Sequence, residues 1–263
     1  KPVKAIRSKK DSSMVVGLRL VKEGKAQAFI SAGNTGAVLS GGVFIVGRIK
    51  GIDRPAMAPM LPAYKKRLML IDAGANTNCK PINLVQFAQM STIYLKNTFG
   101  IENPKIGLLN IGTEETKGND LVKESYQLLK EKSEELDINF VGNVEGREIF
   151  LNVCDVVVCD GFVGNVVLKV TEGTATLLFK MIKNTFKSDF LGMLVGMLAK
   201  PFLRRIYGRI NYEEFGGCLL LGVKGITVIS HGRSKAYAIK NAVRVAKEAV
   251  ETSVNNKIAE SIE

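Results

Sequence analysis

The chain of 263 residues has no tryptophan, a single histidine and only 7% aromatic residues. That scarcity excludes a base-stacking nucleic-acid module, because no basic run is interleaved with aromatics. One histidine rules out an H-E-x-x-H zinc site, and His231 lies outside any G-x-S-x-G elbow, which argues against covalent serine catalysis. The four cysteines, Cys79, Cys154, Cys159 and Cys218, form no C-x-x-C pair and no zinc spacing, so they read as reduced thiols. No two of the 26 glycines are separated by one residue, which removes the G-x-G-x-x-G dinucleotide fingerprint. Gly24-Lys25 has Arg19 where a P-loop needs its first glycine. No metal and no cofactor is expected. No charged-then-apolar leader and no uninterrupted run of ~18 apolar residues occurs, so neither secretion nor membrane spanning is supported, and a cytoplasmic chain is expected.

What is present is a core-forming composition, 46% hydrophobic, with a formal charge of +12. Such a chain can form one compact catalytic domain over residues 1–263, and its charge favours acidic or phosphate-bearing partners. Apolar strand-like runs alternate with helical patterns. Strands are expected at 26–30, 105–110, 138–141, 155–159 and 226–230, and helices at 14–22, 37–48, 84–96, 121–132, 166–186 and 235–250. Residues 56–61 and 67–71 flank the turn 62–66 as a hairpin or a protruding arm. This is the alternation of an α/β fold with a parallel sheet.

Five apolar runs end in loops that pair glycine with asparagine or aspartate: 31–36, 72–76, 110–119, 142–143 and 160–165. In an open α/β sheet such loops converge at the carboxyl ends of the strands, where amides and helix N-termini bind anions. The candidate contacts are Gly33, Asn34, Thr35, Asp72, Asn76, Asn143, Gly161 and Asn165. Each asparagine and Asp72 is equally an ordinary turn former. Asp160 follows the most apolar strand, where a carboxylate is a base or a phosphate-orienting group, or else caps its own loop. Lys117 sits among glycines in another such loop and would neutralise an oxyanion, unless it only balances Glu114 and Glu115. His231, between Ser230 and Gly232, is either a ligand contact or a satisfied structural imidazole.

Several strings resemble the PlsX family of phosphate acyltransferases. They are Ser31-Ala32-Gly33-Asn34-Thr35-Gly36-Ala37, Val46 to Pro55, Gly107-Leu108-Leu109-Asn110-Ile111-Gly112, Phe140-Val141-Gly142-Asn143-Val144-Glu145 and Asp160-Gly161-Phe162-Val163-Gly164-Asn165. The resemblance implies a three-layer α/β/α Rossmann-like fold related to phosphotransacetylase and isopropylmalate dehydrogenase. It implies an enzyme that makes acyl phosphate from inorganic phosphate and fatty acyl-acyl carrier protein, working as a homodimer. Within it Lys117 and Asp160 are the expected catalytic residues. The family's opening strand and glycine-rich loop have no counterpart here, so a preceding segment is expected. The rival readings are a phosphotransacetylase-like enzyme using acyl-CoA and a non-catalytic lipid-binding protein.

Residues 180–210 carry seven basic side chains against Asp189, half of the net charge, around the apolar stretch 190–199. Ten apolar residues reach only ~15 Å as helix against a ~30 Å hydrocarbon core, so they do not span it. An amphipathic helical insertion at 188–210 is expected, interrupted at Lys200-Pro201. Its residues Leu191, Leu194, Leu198 and Phe202 would lie on an anionic membrane. The G-x-x-x-G spacing of Gly192 and Gly196 offers a dimer contact instead. Basic groups Arg7, Lys9, Lys10, Arg48 and Arg54 are candidate carrier contacts.

Overall fold

The computed structural model describes residues 2–210, 214 and 216–262; Lys1 lies outside them. Its strands fall into two sheets rather than one. The first has the order β1 (Ala28–Ser31), β9 (Ile226–Ile229), β8 (Cys218–Leu221), β2 (Ala56–Ala58), with β1 and β9 parallel and the other pairs antiparallel. The second has the order β3 (Met60–Pro62), β4 (Arg67–Ile71), β7 (Val156–Val158), β5 (Lys105–Asn110), β6 (Asn139–Glu145), parallel from β4 onward. Two backbone hydrogen bonds join the sheets: Leu70 N–H donates to Pro59 O (3.1 Å) and Ala73 N–H to Met57 O (3.0 Å).

Strand side chains alternate between two cores, as period 2 requires. Met69, Ile71, Ile106, Leu108, Val156 and Val158 face one; Leu68, Leu70, Leu109 and Val157 face the other. The first core is filled by α4 (Pro81–Phe99), α5 (Asp120–Lys132), α8 (Ala236–Glu251) and α9 (Val254–Ile262). The second receives α3 (Thr35–Gly41) through Val38 and Leu39, and α6 (Gly161–Thr185) through Val167 and Leu168. Helices therefore cover both faces, the α/β/α arrangement that the sequence implied. Two further helices, α1 (Pro2–Ser8) and α2 (Ser13–Lys22), pack beside α3 with Ile6, Val15 and Ala37 in a small third core.

Several elements differ from the sequence reading. β3 and β4 form the expected hairpin, but as an integral part of the sheet rather than a projecting arm, with Leu61, Leu68 and Leu70 buried. Helix α3 passes at Gly42–Val46 into a π-helical turn, in which Gly47 N–H donates to Gly42 O (2.9 Å). Gly142-Asn143 is no loop: it lies inside β6, where Val141 is the extra residue of a bulge and Gly142 has φ 96°. Finally, α7 (Phe190–Ile210) runs unbroken through Pro201.

Helices α6 and α7 leave most of their apolar residues exposed. By length and composition α6 suffices to cross a membrane, which a search for an uninterrupted apolar run passed over. Gly192 and Gly196 do not present a face for a partner. A Cβ at Gly196 would lie 2.9 Å from Phe186 Cβ, and one at Gly192 3.2 Å from Phe186 O, so this side of α7 packs on the α6–α7 connection.

Candidate functional site

Asp72, at the end of β4, is fully buried. Its Oδ1 accepts from the amides of Met57 (2.9 Å), Gly74 (3.2 Å) and Ala75 (3.0 Å), and its Oδ2 from the amide and side-chain amide of Asn76 (2.6 and 2.9 Å). Burial pushes this carboxyl above its ordinary value, while the donors around it pull the other way. The arrangement corrects the expectation of ligand contact for this side chain. Asp72 is wholly engaged in shaping the loop 72–76 and tying it to β2, so its role is positional. Asn76 is held likewise, its Nδ2 donating to Pro55 O (2.7 Å) as well as to Asp72.

The start of α6 is seated directly on this loop. Gly161 N–H donates to Asn76 O (2.7 Å), and a Cβ at Gly164 would lie 1.9 Å from Asp72 O, a distance no side chain survives. Asp160 is the N-cap: its Oδ1 accepts from Phe162 N–H (2.8 Å) and Val163 N–H (3.1 Å). Gly164 N–H donates to Asp160 O (2.9 Å), so the first amides of α6 are occupied and offer no vacant anion hole. Asn34 plays the same part for α3, accepting from Ala37 N–H (3.0 Å). For Asp160 the capping alternative is the geometry found; Asn34, open as a ligand contact or a turn former, caps a helix.

Beside these loops lies a cavity of about 590 Å³ between the two sheets and α6. Thr35 and Gly36 at the start of α3, Gly74, Asn165 and the segment Ser230–His231 with Ser234 form its polar part. His231 Nδ1 accepts from Arg233 N–H (3.1 Å). Of the candidate residues, Thr35, Asn165 and His231 line this cavity, whereas Gly33, Asn34, Asn76, Asn143, Gly161, Lys117 and Asp160 do not.

Lys117 and Asn143 belong to a second group over β5 and β6. Asn143 Nδ2 donates to Glu114 O (3.0 Å), and Asn110 Nδ2 to Lys117 O (3.1 Å), fixing the loop 110–119. The Asn143 Oδ1 is buried with no hydrogen-bond partner. The Lys117 residue is exposed. Asp160 stands between the groups, because β7 is flanked by β4 on one side and β5 on the other.

The surroundings of the cysteines favour the thiol over the thiolate. Burial, with Asp72 and Asp160 nearby, pushes Cys79 up to about 12; burial, with Asp155 nearby, takes Cys154 to about 12, and it raises Cys159 and Cys218 well above their usual range. What the loops can do is position an anion beside an electrophile.

The sequence profile of the family described as "Fatty acid synthesis protein" matches residues 1–257. The chain belongs to this family. A relative from Halothermothrix orenii named phosphate acyltransferase is 55% identical over 261 residues, which are 99% of this chain and 78% of that protein. One of the same name from Clostridioides difficile is 55% identical over 244 residues, 92% of this chain and 71% of that protein. Among solved structures, a phosphotransacetylase from Streptococcus pyogenes has TM-score 0.55 at 16% identity, covering 99% of this chain and 74% of that one. A branched-chain phosphotransacylase from Enterococcus faecalis has TM-score 0.55 at 15% identity over 91% and 80%. At that identity the likeness concerns the fold alone.

The quoted loops do not point to the apolar wall of the cavity. Leu168, Ala175 and Phe179 of α6, Met60 and Leu61 of β3 and Tyr207 of α7 form it. The spacing of Leu168, Glu172, Ala175 and Phe179 on one helix face is visible in the sequence. What that face meets is not.

Proposed function

We propose that the chain transfers a fatty acyl group from acyl carrier protein to inorganic phosphate, releasing acyl phosphate and free carrier for phospholipid synthesis. The observation that carries this reading is the 55% identity, over 261 residues, to a protein named phosphate acyltransferase. In the reaction a phosphate oxygen attacks the thioester carbonyl, the tetrahedral oxyanion collapses, the C–S bond breaks and the proton of phosphate passes to the departing thiolate. A thiol is already a fairly acidic leaving group, with pKa ~8.5 for free cysteine, so placement and charge stabilisation matter more than a strong general acid.

Phosphate is held at the polar end of the cavity, near Thr35, Asn165 and His231, with the loops of Asn34 and Asn76 as its frame and Asn143 fixing the loop that carries Lys117. Lys117 supplies the positive charge for phosphate or the oxyanion. Asp160, just beyond the strand between the two loop groups, orients the protonated phosphate with the carboxylate that also caps α6. Replacing Lys117 with Ala is expected to abolish turnover at an unchanged melting temperature; undiminished turnover would remove it from the reaction.

The defining assay follows phosphate-dependent loss of long-chain acyl thioester and traps acyl phosphate with hydroxylamine. Activity with long acyl-acyl carrier protein supports the reading. Activity confined to short acyl-CoA would replace it by the phosphotransacetylase-like one, and thioester binding without cleavage by the lipid-binding one.

The enzyme works at the cytoplasmic face of an anionic membrane. Leu191, Leu194, Leu198 and Phe202 are 70%, 44%, 77% and 65% exposed along α7, beside the basic side chains of the same segment. That is the pattern of an interfacial helix. The acidic carrier is drawn by the net charge of +12 and by basic groups around Lys9, Lys10 and Arg54. Arg7 and Arg48 are engaged within the chain, with the Phe44 ring and with Asp53. The functional unit is a homodimer whose contact lies away from Gly192 and Gly196; sedimentation of the purified protein tests this.

A further inference from the structure

We infer that the apolar part of the cavity holds the acyl chain, and that the Phe179–Tyr207 ring pair ends it and so sets the chain length the enzyme accepts. This rests on the acyl-transfer reading above and concerns the substrate of that same site.

The cavity, about 590 Å³, falls within the ~300–1,000 Å³ of small-molecule pockets. Its polarity runs in one direction. Thr35, Asn165, Ser230, His231 and Ser234 gather at the strand-end loops, while the rest combines apolar Met60, Leu61, Ala175, Phe179 and Tyr207 with four polar residues of α6. A ligand with one polar head and one long apolar body matches that gradient.

The polar side chains that α6 contributes beyond Asn165 are already satisfied. Lys169 Nζ pairs with Glu172 Oε2 (2.9 Å). Thr171 Oγ1 donates to Val167 O (2.8 Å) and Thr176 Oγ1 to Glu172 O (2.8 Å). The two hydroxyls are turned to the helix backbone and the ammonium to a carboxylate, so each of these groups already has a partner within α6. A sugar or nucleotide would find few free partners for its polar groups along this wall, whereas a hydrocarbon requires none.

Length is set along the same helix. From Asn165 to Phe179 α6 rises about 21 Å at ~1.5 Å per residue, the scale of a long extended acyl chain. At that point Phe179 meets Tyr207 of α7 edge to face, with ring centroids 5.1 Å apart and planes at 77°. Both rings line the cavity, and the pair bridges α6 and α7 at the last residue α6 contributes. Paired aromatic rings have few rotamers to escape into, so they form a stop rather than a flexible plug.

The test is the ratio of kcat/KM for palmitoyl- over octanoyl-acyl carrier protein in wild type, Ala175→Phe and Phe179→Ala. Ala175 is one turn nearer the polar end than Phe179, so Ala175→Phe should lower the ratio by more than tenfold, since excluding even two methylenes costs about sixteenfold at roughly fourfold each. Phe179→Ala opens the end and should move the preferred length upward, measured against stearoyl and longer chains. In parallel, cis-parinaric acid fluorescence reads chain binding without turnover, and Ala175→Phe should weaken it several-fold. Should wild type consume no thioester with phosphate while parinarate binding still weakens in Ala175→Phe, acyl transfer falls and the groove stands. If turnover proceeds and two variants with wild-type melting curves keep the wild-type ratio and parinarate affinity, the groove assignment is overturned and acyl transfer survives.

Discussion

Two long helices of this molecule, α4 and α6, are both rich in apolar residues and meet opposite fates. Helix α4 buries Leu84, Val85, Phe87, Ala88, Met90 and Leu95 against the sheet. Of the 25 residues of α6, Gly161 and Gly164 alone are buried. The hydrophobic effect explains α4 completely, since its apolar face is removed from water by the fold itself. It does not explain α6, whose Leu177, Leu178 and Met181 are more than half exposed. The fold gains little from those side chains, which leaves them open to a surface or ligand outside the chain.

The largest expected effect comes from breaking the buried member. Phe87→Ala should cost about 3–5 kcal/mol of unfolding free energy, by denaturant titration, because a fully buried ring leaves a cavity. Gly164→Ala should follow at about 1–3 kcal/mol, together with most of the turnover, since its Cβ has to displace the Asp72 carbonyl and tilt the first turn of α6. Leu194→Glu on the exposed α7 should change stability by no more than ~0.5 kcal/mol while abolishing co-sedimentation with anionic vesicles. Equal vesicle binding by this variant would end the membrane proposal. Smallest is a labelling contrast: a thiol introduced by Leu198→Cys should react with a maleimide dye within minutes at neutral pH. The native thiols, of which Cys79 and Cys154 are held at about 12, should stay unlabelled until the chain unfolds.

The same contrast governs what was legible in the sequence. β7 and β5 were readable because a β-branched or apolar run bounded by turn residues has few alternatives. Helix α4 was readable from its pattern at 84–96, although it begins three residues earlier, at Pro81. β8 was not, because Cys218–Leu221 is four apolar residues with no period to mark it. The break before α9 was hidden as well: Ser253 adopts φ 50° without the glycine or asparagine that usually announces such a turn. Gly142 misled in the opposite sense, a turn signal spent on a bulge.

For the site, residue types foretold the loops but not their division of labour. Asp72, Asn34 and Asp160 look alike as strand-end polar residues, and in the fold Asp72 knots a loop while the other two cap helices. The polar lining of the cavity was partly named beforehand, in Thr35, Asn165 and His231. Its apolar wall was not, because Phe179 and Tyr207 meet only once α6 and α7 fold back on each other.

The absence of clearance between Gly164 and the Asp72 carbonyl has a mechanical consequence. Helix α6 is a rod clamped at its root and braced near its tip by α7. Any sway must pivot about the clamp, leaving the space beside Asn165 nearly constant and widening or narrowing the space beside Phe179 most. A force applied to the outer side of the rod would thus be felt at the far end of the cavity before it reached the polar end.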